Sequence, residues 1–179
     1  MSKSVFNREK DRRSWYYKVN QPGFKFNLSD IQSAIALAQF KKLEKIVFER
    51  KKISETYNKQ FQDLITDDYI KPIMIKKSNR SSHYIYTILV RSEKLKCTRD
   101  EISNYLSSAE IGNTVHYIPA HKHFFYKKLF RKFKLKNCNY VYDRIISLPM
   151  HNKLSQSDIL NVSKYLKKIL FKNIKKKLY

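Results

Sequence analysis

Glycine is scarce in this chain, and its scarcity excludes two large classes of nucleotide-binding fold. Only two glycines, Gly23 and Gly112, occur among 179 residues. Phosphate-binding loops of the Walker and Rossmann types need several closely spaced glycines, because the backbone itself must approach the phosphates. The sequence therefore encodes neither loop.

Cysteines and long apolar runs are also few. Cys97 and Cys138 lie far apart and lack Cys-x-x-Cys spacing, so we expect two free thiols in a reducing compartment. No apolar run approaches the roughly 20 residues that span a bilayer. The first residues lead into charged side chains instead of an apolar signal segment. We therefore expect a cytoplasmic protein without a membrane partner.

Acidic residues are outnumbered by basic ones. There are 15 Asp and Glu against 38 Lys and Arg, which gives a formal net charge of +23 and a pI of about 10.0. Such a field attracts polyanions. The excess is mostly lysine and comes with abundant Ile, Asn, Tyr and Phe, as A/T-rich codons would produce. Codon bias and selection for binding a polyanionic partner therefore remain two explanations of the excess of basic residues.

The hydrophobic pattern predicts a long helix, or two helices joined by a bend, from Ser29 to about Leu64. Ser29 and Gln32 have the spacing of a capping box, and apolar residues then recur at helical spacing. Lys71-Pro72 breaks the pattern. The aromatic and β-branched run 83–90, HYIYTILV, predicts a strand.

The second half of the chain predicts three more helices and one more strand. A capping box at Thr98 and Glu101 opens a helix that stops before Gly112, and residues 113–118 follow as a strand. A helix is expected from about Asn139 to Ser147, and a final amphipathic helix begins at Ser155.

This order of elements predicts a small α/β domain with a long lead-in helix. A sheet of two or three strands is marginal alone, so we expect it to pack on a further layer. Residues 1–28 form an aromatic, loop-like segment without an obvious partner in the chain, and residues 29–179 form the domain. The aromatic segment is expected to pack on another domain or on a second subunit.

Four stretches of the chain resemble one enzyme family in their order and motifs. They are WYYKVNQPGFKFNLSDIQSAIALAQFKKL at 15–43, HYIYTILV at 83–90, VHYIPAHKHFFY at 115–126 and RIISLPMHNKLSQSDI at 144–159. Together they resemble the aromatic loop and helix, the strand, the histidine turn and the Ser-Leu-Pro segment of DegT/DnrJ/StrS-type nucleotide-sugar aminotransferases. The match extends over nearly the whole chain.

The resemblance implies a fold-type I enzyme that depends on pyridoxal phosphate (PLP). Such enzymes transfer an amino group from glutamate to a keto nucleotide-sugar for surface polysaccharide or glycan synthesis. The resemblance further implies that this chain is the C-terminal small domain with its connecting helix. The lysine that binds PLP covalently belongs to the large N-terminal domain, which we expect this chain to lack. We therefore assign no catalytic residue and expect the chain to be inactive alone, pairing as a homodimer or with a complementing N-terminal half.

Lys25 and Asn27 are the cofactor-binding candidates that the resemblance implies. In the family, the loop before the helix reaches the PLP phosphate of the other subunit, and the GFKFN segment at 23–27 resembles a Lys/Asn version of that motif. An ammonium and an amide both suit a phosphate. The alternative is an exposed turn before a helix.

The histidine turn, residues 115–126, permits three interpretations. His116, His121 and His123 could bind a metal, but no Asp or Glu lies between Ile111 and Tyr142, and we predict no metal site. They could be structural histidines with satisfied hydrogen bonds. The resemblance implies a third role, in which these histidines and Tyr117 contact the nucleotide-sugar. Imidazoles, phenols and neighbouring lysines suit a diphosphate between hydroxyl-rich rings.

A basic nucleic-acid-binding module is the alternative function. The net charge, the aromatic content and the lysine-rich end of the chain favour it. The lysines are nevertheless spread over the whole chain, and no nucleic-acid motif occurs. We therefore expect no specific nucleic-acid partner.

Overall fold

The computed structural model describes residues 23–24, 26–76, 78–129 and 135–175. These residues fall into two units that divide between Lys41 and Lys42. Most of the aromatic segment, including Lys25, lies outside the described residues. The candidate functional groups of the histidine turn lie in the second unit.

The described part of the first unit is dominated by one helix, α1 (Asp30–Phe40). The capping box predicted for it is present, because Ser29 accepts a hydrogen bond from the Gln32 backbone N–H and Gln32 accepts one from the Ser29 backbone N–H. No residue of α1 is buried within the chain, and its apolar side chains Ile31 and Ile35 are 76% and 60% exposed.

The second unit begins with α2 (Leu43–Gln60) and α3 (Gln62–Thr66). The expected long helix is thus divided at two places, since turns interrupt it at residues 41–42 and at Phe61. Phe61 is fully buried in the core, where its ring stacks near that of Tyr57. The apolar periodicity persists through Phe61 although the backbone leaves the helical conformation there.

A three-stranded antiparallel sheet, in the order β1-β2-β3, forms the centre of this unit. The strands are β1 (Ile70–Pro72), β2 (Tyr86–Val90) and β3 (Ile145–Leu148). Pro72 ends β1, which is an edge strand and so tolerates a residue without a backbone N–H. Lys71-Pro72, where the sequence predicted a break in the pattern, therefore belongs to an edge strand.

Two predictions for the second half of the chain are wrong. The helix expected from Asn139 to Ser147 ends early, as α6 (Lys136–Tyr142), and residues 145–148 form β3 instead. All four residues of β3 are buried, so its sequence lacks the alternation that marks a half-exposed strand. The strand expected at 113–118 is reduced to one bridge, between Thr114 and Ser147.

The two faces of the sheet differ in chemistry. Tyr86, Ile88 and Val90 of β2 and Ile146 and Leu148 of β3 enter the hydrophobic core. The core is completed from α2, α4 (Arg99–Ser108) and α7 (Gln156–Lys172), with capping boxes at Thr98 and Ser155. The opposite face carries the cross-strand pair Thr87 and Ser147.

Three helical segments lie within the histidine turn or shortly after it. Ala120–Lys122 forms a single 3₁₀ turn, and α5 (Phe124–Leu129) and α6 come after it. A small sheet packed with helices is therefore present as predicted. Within the described ranges, no helix is long and apolar enough to span a membrane.

Candidate functional site

The histidine turn is attached to the sheet at its start. The Thr114 backbone N–H donates to the Ser147 carbonyl at 3.2 Å, and the Ser147 N–H donates to the Thr114 carbonyl at 2.8 Å. This bridge places the next residues of the turn beside β3. It therefore fixes where the side chain of His116 meets the polar face of the sheet.

His116 is half-buried and hydrogen-bonded to the sheet. Its Nδ1 lies 2.8 Å from the Ser147 Oγ, which in turn lies 3.1 Å from the Thr87 Oγ1. The Tyr117 ring stands edge-on to the imidazole, with centroids 4.8 Å apart, and Tyr117 is 72% exposed. One imidazole is thus fixed while the adjacent phenol is available to solvent.

His121 and His123 have different surroundings. The Nε2 of His121 lies 3.0 Å from the Asn139 Oδ1, which joins the turn to α6. The adjacent Lys122 forms an ion pair with Asp143 at 3.6 Å and lies over the Tyr142 ring. His123 is exposed, and its side chain has no partner in the described part of the chain. The three imidazoles therefore do not converge on one point.

A groove of about 660 Å³ adjoins His116. Its titratable wall residues are Tyr84, Glu110, His116, His151 and Asp158. Ser147 and Leu148 of β3 also contribute to its wall. The Ser155 hydroxyl and backbone N–H, together with nearby His151, hold the pKa of Asp158 below its usual value. Neither Tyr117, His121 nor His123 lines this groove.

Several groove residues carry no recognisable sequence signal. Glu110, His151 and Asp158 come from three separate segments, and only folding brings them to the same groove. His151 follows the Ser-Leu-Pro segment, and Asp158 is recognisable in the sequence only as a helix cap. Asn113 also lines the groove, but its amide is occupied by bonds to Ser103 and Ser107.

The first unit offers one of the two predicted cofactor-binding residues. Asn27 is exposed, with its amide two residues before the Ser29 cap of α1. Lys25 lies outside the described residues. An exposed amide is chemically suited to donate to a phosphate oxygen.

Covalent attachment of PLP requires a lysine that is desolvated against the cofactor. All lysines in the described ranges are exposed or half-buried. These residues therefore do not fit the covalent part of a PLP site. No group of three His, Cys, Asp or Glu side chains suited to a metal ion occurs in the same ranges.

Comparison with known proteins identifies the family. Residues 2–167 match the DegT/DnrJ/EryC1/StrS aminotransferase family. A Campylobacter jejuni protein named UDP-4-amino-4,6-dideoxy-N-acetyl-beta-L-altrosamine transaminase is 33% identical over 165 residues, which cover 92% of this chain and 42% of the relative. The chain spans less than half the length of the curated relatives it matches.

Solved structures show the same likeness. Helicobacter pylori PseC, described as an aminotransferase involved in the biosynthesis of pseudoaminic acid, has a TM-score of 0.78 and 29% identity. The similarity covers 90% of this chain and 43% of PseC. The sugar aminotransferase Spr1654 of Streptococcus pneumoniae, described as putative and in its PMP form, has a TM-score of 0.75 and 26% identity, over 93% of this chain and 41% of Spr1654.

The structure therefore has the fold of PLP-dependent aminotransferases, which confirms that part of the fold prediction. The family predicted from the four sequence stretches is confirmed as well. With its match over residues 2–167, this chain belongs to the DegT/DnrJ/EryC1/StrS aminotransferase family.

Proposed function

We propose that this chain is the C-terminal small-domain part of an aminotransferase that moves an amino group from glutamate to a keto nucleotide-sugar. The observation that supports this most is the fixed position of His116 at the wall of the groove. The names of the Campylobacter transaminase and of PseC agree with a sugar substrate. The pathway is then one of polysaccharide or glycan synthesis.

The groove has the size and the polar groups for part of a nucleotide-sugar. Its volume of about 660 Å³ lies within the range of roughly 300–1,000 Å³ that small-molecule sites occupy. His116 provides an imidazole, while Glu110 and Asp158 provide carboxylates that accept hydrogen bonds from sugar hydroxyls. Beyond the groove, the exposed Lys127 and Lys128 of α5 supply positive charge suited to a diphosphate.

The other predicted substrate residues lie along the same turn. Tyr117 is exposed beside His116, and His123 is exposed before α5. We propose that these two side chains contact the distal part of the substrate and that His121, through Asn139, also holds the turn in place. The turn then acts as one wall of the entrance to the active site.

PLP supplies an electron-accepting ring to an aminotransferase when it is bound. Because the described lysines do not fit covalent attachment, we place the cofactor lysine on a separate large domain. Asn27, with Lys25, is proposed to contact the cofactor phosphate of a partner subunit in a homodimer or in a complemented enzyme. The chain alone is then inactive. None of the relatives compared above supports the nucleic-acid alternative.

Titration of the histidine-labelled chain with a UDP-hexose, followed by NMR, tests this proposal. We expect the His116 resonances to shift, and those of His83, which lies outside the groove, to stay. High salt suppresses non-specific binding of polyanions, so the shift should persist there. If duplex DNA displaces the UDP-hexose in high salt, or if His116 does not respond, the proposal is wrong.

A further inference from the structure

Three side chains from separate segments form a hydrogen-bonded line on the polar face of the sheet. Thr87 of β2 and Ser147 of β3 are only 5% and 3% exposed. Their hydroxyl oxygens lie 3.1 Å apart, and the Ser147 Oγ lies 2.8 Å from the Nδ1 of His116. Buried hydroxyls seldom leave their hydrogens without an acceptor.

Counting hydrogens gives this line a direction. Each hydroxyl has one hydrogen to donate, and a neutral imidazole has an N–H at one nitrogen only. If Thr87 donates to Ser147, and Ser147 donates to Nδ1, each hydroxyl hydrogen has an acceptor. If Nδ1–H donated to Ser147 instead, either the Ser147 or the Thr87 hydrogen would lack an acceptor among the described residues. Leaving a buried donor unsatisfied costs about 1–3 kcal/mol.

We propose that Ser147 is a positioning residue that holds neutral His116 in the tautomer with its hydrogen on Nε2. Nδ1 is occupied by Ser147, and Nε2 has no partner in the described ranges. Nε2–H is therefore the group that His116 offers to a ligand at the groove. The ligand must present an acceptor oxygen, such as a phosphate or sugar hydroxyl.

This arrangement makes His116 a directed donor. An imidazole bound at Nδ1 loses the freedom to rotate and to exchange tautomers, so less ordering is needed when a ligand binds. Without the Ser147 hydroxyl, Nδ1 has no donor from the sheet and the tautomers mix. The tautomer assignment depends only on the contacts above, whereas the identity of the acceptor rests on the proposed function.

Magic-angle-spinning NMR of the full chain labelled with ¹⁵N-histidine measures the tautomer directly. At about pH 8.5 imidazoles are neutral, and His116 is assigned by its loss in His116→Gln. We expect a protonated Nε2 and an unprotonated Nδ1. A protonated Nδ1, or an even mixture in the unmodified chain, would overturn the proposal.

Substitutions at Ser147 and Thr87 separate the contributions of the two hydroxyls to the tautomer of His116. Ser147→Ala is expected to produce a tautomer mixture at His116, and an unchanged spectrum would refute the role of Ser147. Thr87→Val keeps the side-chain shape and removes the Thr87 donor, but Ser147 keeps its one hydrogen and Nδ1 as its acceptor. The tautomer of His116 in Thr87→Val is therefore expected to stay as in the unmodified chain. If Ser147→Ala does not fold, the tautomer in the unmodified chain and in Thr87→Val decides, and a protonated Nδ1 in either would refute the role of Ser147.

A second measurement uses the enzyme complemented with a large domain. Ser147→Ala and His116→Ala should each raise KM for the nucleotide-sugar about tenfold, and the double variant should raise it no further, because both remove one interaction. Additive effects would show that Ser147 does not act through His116. If the complemented enzyme has no turnover, the proposed function fails while the tautomer result still decides this inference.

Discussion

At the scale of single residues, His116 and His121 differ in the element that holds them. The imidazole of His116 is bonded to Ser147 of β3 and lines the groove, whereas that of His121 is bonded to Asn139 of α6. The sequence shows two histidines five positions apart in one turn. It does not show that one is held by the sheet and the other by a helix, because those partners are distant in the chain.

His116→Ala is expected to raise KM for the nucleotide-sugar about tenfold in a complemented enzyme, because it removes the hydrogen bond that we propose His116 donates to the substrate. Steady-state kinetics with glutamate checks this, and the PLP absorbance should stay unchanged. His83→Asn is the matched control, since His83 lies outside the groove and has a φ of 47°, which Asn tolerates. Loss of bound PLP in His116→Ala would contradict a substrate role.

Arg99 is a buried cation whose partners are structural. Its Nη1 donates to the Ile145 carbonyl at 3.1 Å, its Nε forms an ion pair with Asp100 at 2.6 Å, and its guanidinium lies over the Tyr142 ring. We predict that Arg99→Met lowers the free energy of unfolding by about 2 kcal/mol, because a hydrogen bond from a charged donor is lost.

Urea denaturation of Arg99→Met checks this value. The control is Arg80→Met, which removes an exposed ion pair with Glu44 and should cost less than about 1 kcal/mol. Equal losses in the two variants would mean that burial of Arg99 contributes nothing to stability.

At the scale of secondary-structure elements, the sequence signals that are local were the reliable ones. The capping boxes at Ser29 and Thr98, and the helix start at Ser155, are all present in the structure. Each depends on residues three positions apart, so the chain needs no tertiary information to show them.

The elements that depend on distant partners could not be predicted in the same way. β3 is buried over its whole length, so Ile145-Ile146 has the same apolar character in a strand as in a helix. β1 pairs with β2, which lies beyond a polar run in the sequence, although Pro72 indicates a break. The groove residues Glu110 and Asp158 likewise meet only through the fold.

The capping box of α4 predicts a dependence of stability on pH. Bonds from the backbone N–H and the hydroxyl of Thr98 hold the pKa of Glu101 below its usual value. Because the pKa of Glu101 is lower in the folded than in the unfolded chain, its ionised carboxylate stabilises the fold. This stabilisation is fully present at pH values above the pKa of the unfolded chain, and it is lost as the pH falls through the pKa of the folded chain. Glu101→Gln should therefore be less stable than the unmodified chain near neutral pH, and the difference should narrow below about pH 4.

Urea midpoints measured at neutral and acid pH check this dependence. The control is Glu55→Gln. Among the described residues, the Glu55 carboxylate makes only an exposed ion pair, with Lys51 at 3.8 Å. A stability difference for Glu101→Gln that stays constant on acidification would rule out the ionised capping box as its source.

At the scale of the whole molecule, exposed apolar side chains predict association of the isolated chain. Phe24 and Phe26 are 87% and 86% exposed, and Met74 in the second unit is 82% exposed. The Phe24 and Phe26 rings are neighbours, with centroids 5.5 Å apart, and exposed apolar patches are rare on monomers. We expect light scattering with size-exclusion chromatography to show oligomers, and a Phe24→Ser/Phe26→Ser variant to shift toward the monomer.

The unmodified chain eluting as a sharp monomer with little binding of a hydrophobic dye would contradict this expectation. Lys168→Ser is the control for a surface change that removes no apolar area, because Lys168 is an exposed residue of α7. Its elution should match that of the unmodified chain.

The charge of the molecule bears on ligand choice at the same scale. A net charge of +23 attracts nucleotide-sugars and nucleic acids alike, so charge alone does not distinguish them. The arrangement of His116, Glu110 and Asp158 around a groove is what favours a small ligand with hydroxyls.

We propose that this chain supplies the substrate-facing wall of a nucleotide-sugar aminotransferase whose cofactor lysine lies on another domain. The most direct measurement is amino transfer from glutamate to a keto nucleotide-sugar, assayed with the chain alone and after addition of a polypeptide carrying a family large domain. We expect no turnover by the chain alone and turnover after mixing. Turnover by the chain alone, with one lysine labelled stoichiometrically after borohydride reduction in the presence of PLP, would contradict it.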